Sequence, residues 1–130
     1  MATMKKLPDA ELDIMKVVWQ LTPPVTSGML LEGLAHETHK EWKLQTLHTL
    51  LNRLVDRGFL SFTKERKEKS FYPLVKRDDY LQYETKSFVN QYHDGSLLSL
   101  VNTAYQGESL SNDDIEELVQ WANAKRRDHE

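Results

Sequence analysis

The sequence predicts a mainly α-helical chain that carries one small β-hairpin near its middle. Apolar residues recur at helical spacing before Gly58 and again after residue 77, which indicates amphipathic helices on both sides. Between them, the aromatic-rich runs 59–63 and 70–75 flank the charged segment KERKEK. Such runs around a charged centre are typical of two strands and their turn, so the expected order is three helices, a hairpin and three helices.

Helix one is expected to begin after the segment LPDAE and to end before the prolines of TPPV. Pro8 suits a first helical turn, and Asp9 and Glu11 are favourable near the positive end of the helix dipole. Pro23 disfavours helical backbone at the residue before it. The apolar side chains at helical spacing, expected to face inward, are Leu12, Met15, Val18 and Trp19.

Helices two and three follow closely, and both have an apolar face. Thr26 or Ser27 is expected to cap helix two, because a hydroxyl oxygen accepts hydrogen bonds from the free amides of a first turn. Helix three is expected over residues 43–56 and ends before Gly58, a natural terminator. The side chains expected to face inward are Met29, Leu30 and Leu34 in helix two and Leu44, Leu47, Leu51 and Leu54 in helix three.

The C-terminal part of the chain is expected to form three short helices that need a partner. Ser111 with Asp114 resembles a capping box, with Asp in place of Glu, at the start of the last helix. So short a segment rarely buries enough apolar surface to be stable alone, and a second copy is the simplest partner. Residues 1–75 and 76–130 are therefore expected to be two domains, the second of which forms a homodimer. The residues expected at the dimer interface are Leu81, Phe88, Tyr92, Leu97, Leu100, Val101, Ile115, Leu118, Val119 and Trp121.

Charge is distributed unevenly along the chain. The net charge is −3, whereas residues 40–77 carry ten Lys or Arg and four Asp or Glu. A local excess of positive charge is typical of a surface that binds phosphates. A solvated charged face without a binding role is the alternative that charge alone leaves open.

The composition excludes or disfavours several functional classes. The chain has no Cys, so disulfides, thiolate metal sites and cysteine nucleophiles are excluded, and the cytoplasm is the expected location. No apolar run approaches bilayer length and no signal peptide is recognisable, so membrane insertion is not expected. His36 and His39 lack a third firm metal ligand, and His93–Asp94 lacks a nucleophile motif. We therefore expect no metal, no cofactor and no enzymatic activity.

Three helices followed directly by a hairpin predict a winged helix-turn-helix. In that arrangement the third helix enters the major groove of double-stranded DNA, and the hairpin, called the wing, lies beside it. The wing is expected over residues 59–75, with Pro73 confined to a strand edge or a strand end. Helix three and the wing tip carry polar or basic side chains that suit bases and phosphates. The residues expected to bind DNA are Lys43, Gln45, Thr46, His48, Thr49, Asn52, Arg53, Lys64, Arg66, Lys67 and Lys69.

Each of these assignments has an alternative. A surface helix is polar on its outer face whether or not it binds a ligand, and lysines on a hairpin also protect an edge strand from aggregation. A winged-helix domain that serves only as a protein–protein adaptor is the alternative function. An adaptor is expected to present an apolar or acidic face on helix three, whereas this face is polar to basic, so DNA binding is favoured. The three tryptophans are interpreted as core or interface anchors rather than base-stacking platforms.

Three segments, LPDAELDIMKVVW, WKLQTLHTLLNRLVDRGFL and FYPLVKRDDYL, resemble in that order the penicillinase-repressor family of bacterial transcriptional repressors, the BlaI/MecI/CopY group. The most specific part is the pattern T-x-x-T-x-L-x-R-L-x-x-x-G from Thr46 to Gly58. The resemblance implies a winged-helix domain, a helical dimerisation domain, dyad-symmetric operators, and control of β-lactam-resistance or related stress genes. It assigns Thr46, Thr49 and Arg53 to the recognition helix.

The chain departs from the family pattern at positions that affect specificity and release. Gln45 and His48 stand where the family often has Lys and Arg, so a different operator sequence is expected. The absence of Cys excludes the metal motif of CopY-type members. In antibiotic-responsive members, a sensor-protease system cuts the dimerisation domain between Asn and Phe, and the matching positions here are Thr103 and Ala104. The resemblance thus implies an inducing protease as a partner, and the mismatch predicts a different protease or release without cleavage.

Overall fold

The computed structural model describes residues 4–129, and within this range it contains six helices and three short strands. The predicted order of three helices, a hairpin and three helices is confirmed. The chain divides into two compact units, the first ending at Glu84 and the second beginning at Thr85. The elements are α1 (Asp9–Gln20), β1 (Val25–Thr26), α2 (Ser27–Thr38), α3 (Leu44–Asp56), β2 (Leu60–Glu65), β3 (Glu68–Pro73), α4 (Arg77–His93), α5 (Leu97–Gln106) and α6 (Asn112–Asp128).

Leucines of α2 and α3 form the centre of the first unit's core. Leu30 and Leu34 of α2 are fully buried, as predicted, and Thr26 caps this helix by accepting a hydrogen bond from the Met29 amide at 3.3 Å. The buried stripe of α3 comprises Leu47, Leu50, Leu51 and Leu54. Two inward-facing predictions were wrong, since Met29 and Leu44 are exposed. Both residues lie in the first turn of their helix, at the edge of the packed surface, where helical spacing does not ensure a partner.

The inward face of α1 is shifted from the predicted stripe. Met15 and Val18 are buried as expected, but Leu12 and Trp19 are only partly buried, and the helix begins at Asp9 rather than after the segment LPDAE. The shift buries Glu11, which is 1% exposed, and its Oε1 accepts a hydrogen bond from Arg57 Nε at 3.0 Å. A buried carboxylate requires such a partner, because desolvation disfavours its charge. The ion pair therefore ties the start of α1 to the residue that follows α3.

The sheet contains three antiparallel strands in the order β1-β3-β2. The first strand, Val25–Thr26, was not predicted, because two residues are too few to show alternation. Pro73 is the last residue of β3, as predicted, and lies opposite Leu60. The predicted six-residue turn was too long, since Glu65 pairs with Glu68 and leaves only Arg66 and Lys67 between the strands.

The first part of α4 packs on the first unit through Tyr80. This ring is 3% exposed, and its centroid lies 5.9 Å from that of Trp19 and 5.6 Å from that of Phe59. The Tyr80 hydroxyl oxygen accepts a hydrogen bond from the Leu7 amide at 2.8 Å. Burial raises the pKa of Tyr80 to about 12, because the phenolate would lose its hydration. The first unit therefore includes the start of α4.

The second unit consists of the rest of α4 with α5 and α6. The capping box of Ser111 and Asp114 is confirmed, and the hydrogen bonds from Ser111 hold the pKa of the Asp114 carboxyl below its ordinary value. Among the described residues of this unit, 85–129, no side chain is buried. None of the helices described between residues 4 and 129 is long and apolar enough to cross a membrane.

Candidate nucleic-acid interface

The third helix presents its polar side chains on the surface opposite the leucine stripe. All seven candidate residues that the sequence places at this helix are exposed, and Lys43 is its N-terminal cap residue. The chain enters α3 from α2 through residues 39–43, and His39 takes a left-handed conformation with φ 56° at the end of α2. Such a residue ends a helix and lets the chain turn sharply. The exposed face of α3 is therefore held by a helix-turn-helix.

Helical spacing divides the exposed surface of α3 into two stripes. One, which we call the wing-side stripe, comprises Leu44, His48 and Asn52. The other, which we call the outer stripe, comprises Gln45, Thr46, Thr49 and Arg53. Within the outer stripe, the Thr49 hydroxyl donates a hydrogen bond to the Gln45 carbonyl oxygen at 3.1 Å. Its proton is thus directed at the backbone, and its oxygen lone pairs remain able to accept a hydrogen bond from a donor.

The wing, residues 59–75 with strands β2 and β3, separates its charges between two faces. Lys64 lies directly opposite Lys69, and Glu65 lies opposite Glu68. Because successive residues of a strand point to opposite faces, the two lysines share one face and the two glutamates share the other. Like charges directly opposite each other are destabilising, so an anion beside the lysine pair would be favourable.

An aromatic ring supports the lysine face of the wing. Phe62 lies on the same face, is partly exposed, and has the Lys69 Nζ 4.3 Å from its ring centroid. A cation at this distance over a ring is attracted to it. At the tip, Arg66 has a φ of 57°, a left-handed conformation that closes the two-residue turn. The Phe62 ring thus attracts the Lys69 ammonium group, and the tight turn sets the backbone at Arg66.

An open groove of about 730 Å³, which we call the wing groove, separates the wing-side stripe from the wing. Four basic residues of the wing line it, together with one acidic residue, Glu68. The groove brings together six of the eleven residues that the sequence predicts to bind DNA. They are His48, Asn52, Lys64, Arg66, Lys67 and Lys69.

The other five candidates, Lys43 and the outer stripe, lie outside the wing groove. The groove also contains residues that were not predicted, among them Leu44 and Ser27. Ser27 Oγ lies 3.3 Å from His48 Nε2, so the start of α2 meets the middle of α3. The capping signal at Thr26 and Ser27 located the start of α2, but it did not indicate which residue of α3 lies beside it.

Comparison with known proteins places this arrangement in one family. The model of the penicillinase repressor family matches residues 7–124. A penicillinase repressor of Bacillus licheniformis is 34% identical over 120 residues, which cover 90% of this chain and 91% of that protein. The methicillin resistance regulatory protein MecI of Staphylococcus aureus (strain N315) is 31% identical, covering 92% of this chain and 95% of that protein.

A solved structure supports the assignment of the first unit's fold. It is the solution structure of the DNA binding domain of the repressor BlaI, which is 29% identical to the matched segment, with a TM-score of 0.51. The match covers 62% of this chain and 94% of that domain, so it is limited to a part of the chain. Helix order, the small antiparallel sheet and this match identify a winged helix. On the family match, the relatives and the fold together, the chain belongs to the penicillinase repressor family.

Proposed function

We propose that this protein is a transcriptional repressor that binds operator DNA through α3 and the wing. The observation that carries the proposal is the cationic wing groove beside the exposed polar face of α3. A major groove is wide enough to admit one α-helix, and basic side chains beside that helix neutralise backbone phosphates. Both relatives described above are named as repressors or regulators of resistance, so β-lactam-resistance or related stress genes are the proposed targets.

The two stripes of α3 have different roles in this proposal. The outer stripe faces the base edges, where Gln45 offers both a donor and an acceptor and Thr49 offers an acceptor. Arg53, in the last turn of α3, meets a phosphate. The basic residues of the wing contact the phosphates beside the groove and add sequence-independent affinity.

Dimerisation is part of the proposal because the second unit leaves its apolar side chains uncovered. Phe88, Tyr92, Leu97 and Trp121 are all about half exposed or more, although their sequence pattern is that of a packed helical face. A symmetric dimer would cover these surfaces and present two copies of α3. The operator would then contain two half-sites separated by about one helical turn of DNA, roughly 10 base pairs, or by a multiple of it.

Substitutions on the outer stripe test the proposal. Arg53→Ala should weaken binding to all sequences and reduce the slope of log affinity against log salt concentration by about one for each lost phosphate contact. Gln45→Ala should instead change the preference among sequences while the salt slope stays close to that of the parent chain. Fluorescence titration against duplexes at several salt concentrations measures both quantities. Arg127→Ala, an exposed arginine on α6, is the matched control and should leave both unchanged.

The same titration distinguishes the repressor from a protein–protein adaptor. An adaptor with an incidental basic wing would bind DNA without sequence preference, so no duplex recovered from the genome would compete better than another. If Arg53→Ala also bound as tightly as the parent at every salt concentration, α3 would not be the DNA-binding helix.

We propose that release from DNA does not follow the cleavage between Asn and Phe that the family resemblance implies. Asn102, Thr103 and Tyr105 lie within α5 and are exposed, whereas Ala104 is partly buried. One residue along a helix turns a side chain by about 100°, so Asn102 and Tyr105 do not replace an Asn-Phe pair in register. We propose a different inducing protease, or release by other means.

Blotting tests this proposal in cells that produce the protein and are exposed to a β-lactam. We expect the chain to keep its full length, or to be cut elsewhere than around Thr103. Conversion to a fragment that ends at Asn102 or Thr103 would contradict the proposal and show that the altered residues are tolerated.

A further inference from the structure

Leu44 is an apolar side chain in a place that packing does not explain. It is 48% exposed, whereas the four other leucines of α3 are buried. It is the first residue of the helix and lines the wing groove, one helical turn before His48. The groove is lined by the apolar residues Leu31, Leu51 and Phe71 as well as by cations, yet about half of Leu44 stays exposed and open to a contact from outside the chain.

The position of Leu44 on the helix determines which part of the DNA it can meet. In a helix-turn-helix, the residues at the N-terminal end of the second helix contact base edges in the major groove. Leu44 directly precedes Gln45, which belongs to the outer stripe, and shares the wing-side stripe with His48. Its side chain therefore stands between the residues proposed to meet bases and the residues proposed to meet phosphates.

Only one group on the base edges of the major groove is apolar. The four base pairs present hydrogen-bond donors and acceptors there, and thymine alone adds a methyl group at C5. Leucine has neither donor nor acceptor, so it cannot distinguish the polar patterns, but it can bury a methyl group. We propose that Leu44 contacts the C5-methyl group of a thymine in each half-site and thereby determines sequence preference at that position.

This inference rests on the proposed DNA binding, and uracil substitution tests it separately. Uracil lacks the methyl group of thymine and keeps its hydrogen-bonding edge. In a duplex recovered by its binding to the full chain, each thymine of one half-site is replaced in turn by uracil. One replacement should weaken binding about fourfold, the effect expected from no longer burying one methyl group.

Variants at Leu44 assign that effect to the side chain. Leu44→Ala should lose the discrimination between thymine and uracil, because the shorter side chain does not reach the methyl group. Leu44→Met should retain it, since methionine offers a similar apolar reach. Leu98→Ala changes a leucine of α5 that is 77% exposed and lies outside both α3 and the wing, so this control should discriminate as the parent does.

The outcomes separate this inference from the proposed function. If no duplex is preferred, the proposed function itself fails. If a duplex is preferred but no uracil replacement weakens its binding, DNA recognition stands and the methyl contact is refuted. If a replacement weakens binding by the parent and by Leu44→Ala equally, the methyl group acts through another residue or through the shape of the DNA, and the inference is again overturned.

Discussion

A chain shortened to end at Glu84 is expected to bind a complete operator roughly a hundredfold more weakly than the full chain. Linking two binding modules raises overall affinity by about 10²–10⁴ without any new contact to the ligand, and the shortened chain loses that link. Its winged helix should remain folded, because the part of α4 that carries Tyr80 is kept. Gel-shift titration on a two-half-site duplex measures the affinity, and sedimentation measures the oligomeric state.

A single substitution tests independently whether the C-terminal helices form the dimer. Leu118→Lys places a charge in the exposed apolar face of α6 and should reduce dimerisation and operator affinity together. Glu117→Lys changes an exposed neighbour on the same helix and is the matched control. A shortened chain that still sediments as a stable dimer would contradict the assignment of dimerisation to the C-terminal helices.

Arg57→Ala is expected to lower the free energy of unfolding by about 2 kcal/mol, the largest single effect on stability that we predict. This is less than for a fully buried pair, because the Arg57 side chain is 36% exposed. The expected loss of stability comes from Glu11, the partner of Arg57. Glu11 is 1% exposed, and its Oε1 lies 3.0 Å from Arg57 Nε. Without the guanidinium, the Glu11 carboxylate would be buried without a counter-charge. Urea unfolding measures the difference.

The matched control is Arg53, which lies four residues earlier, in the last turn of α3. Arg53→Ala removes an exposed arginine without a buried partner and should change the free energy of unfolding by less than about 0.5 kcal/mol. The double substitution Glu11→Leu with Arg57→Ala should recover much of the loss, because it removes the buried charge as well. Equal stabilities of Arg57→Ala and Arg53→Ala would show that the buried ion pair contributes nothing measurable.

The fold was largely predictable because its helices are long enough to show their period. Helices of 12 or 13 residues in the first unit bury leucines at the spacing that the sequence displays. The failures occurred where a local pattern does not determine a tertiary contact. Strand β1 has two residues, Leu44 lies at the end of a packed surface, and the partner of the buried Glu11 is Arg57, which is 46 residues away along the chain.

For the candidate site, the kinds of residue on the surface of α3 and the wing were predictable, but their arrangement in space was not. Residue type and helical period placed polar side chains on the outer face of α3, and the structure agrees. Residue type and helical period could not divide that face into the wing-side stripe and the outer stripe, because the division depends on where the wing packs beside α3. The pairing of Lys64 with Lys69 depends on the hairpin register, which a six-residue charged segment without an Asn-Gly or Asp-Gly turn leaves undetermined.

Nuclease footprinting on genomic fragments that the full chain recovers tests the central claim most directly. We predict two protected half-sites related by a dyad, with centres about 10 base pairs apart or a multiple of that distance. Arg53→Ala should lose both protected regions at a protein concentration at which Arg127→Ala keeps them. Uniform, sequence-independent protection that Arg53→Ala leaves unchanged would contradict operator binding through α3 and the wing.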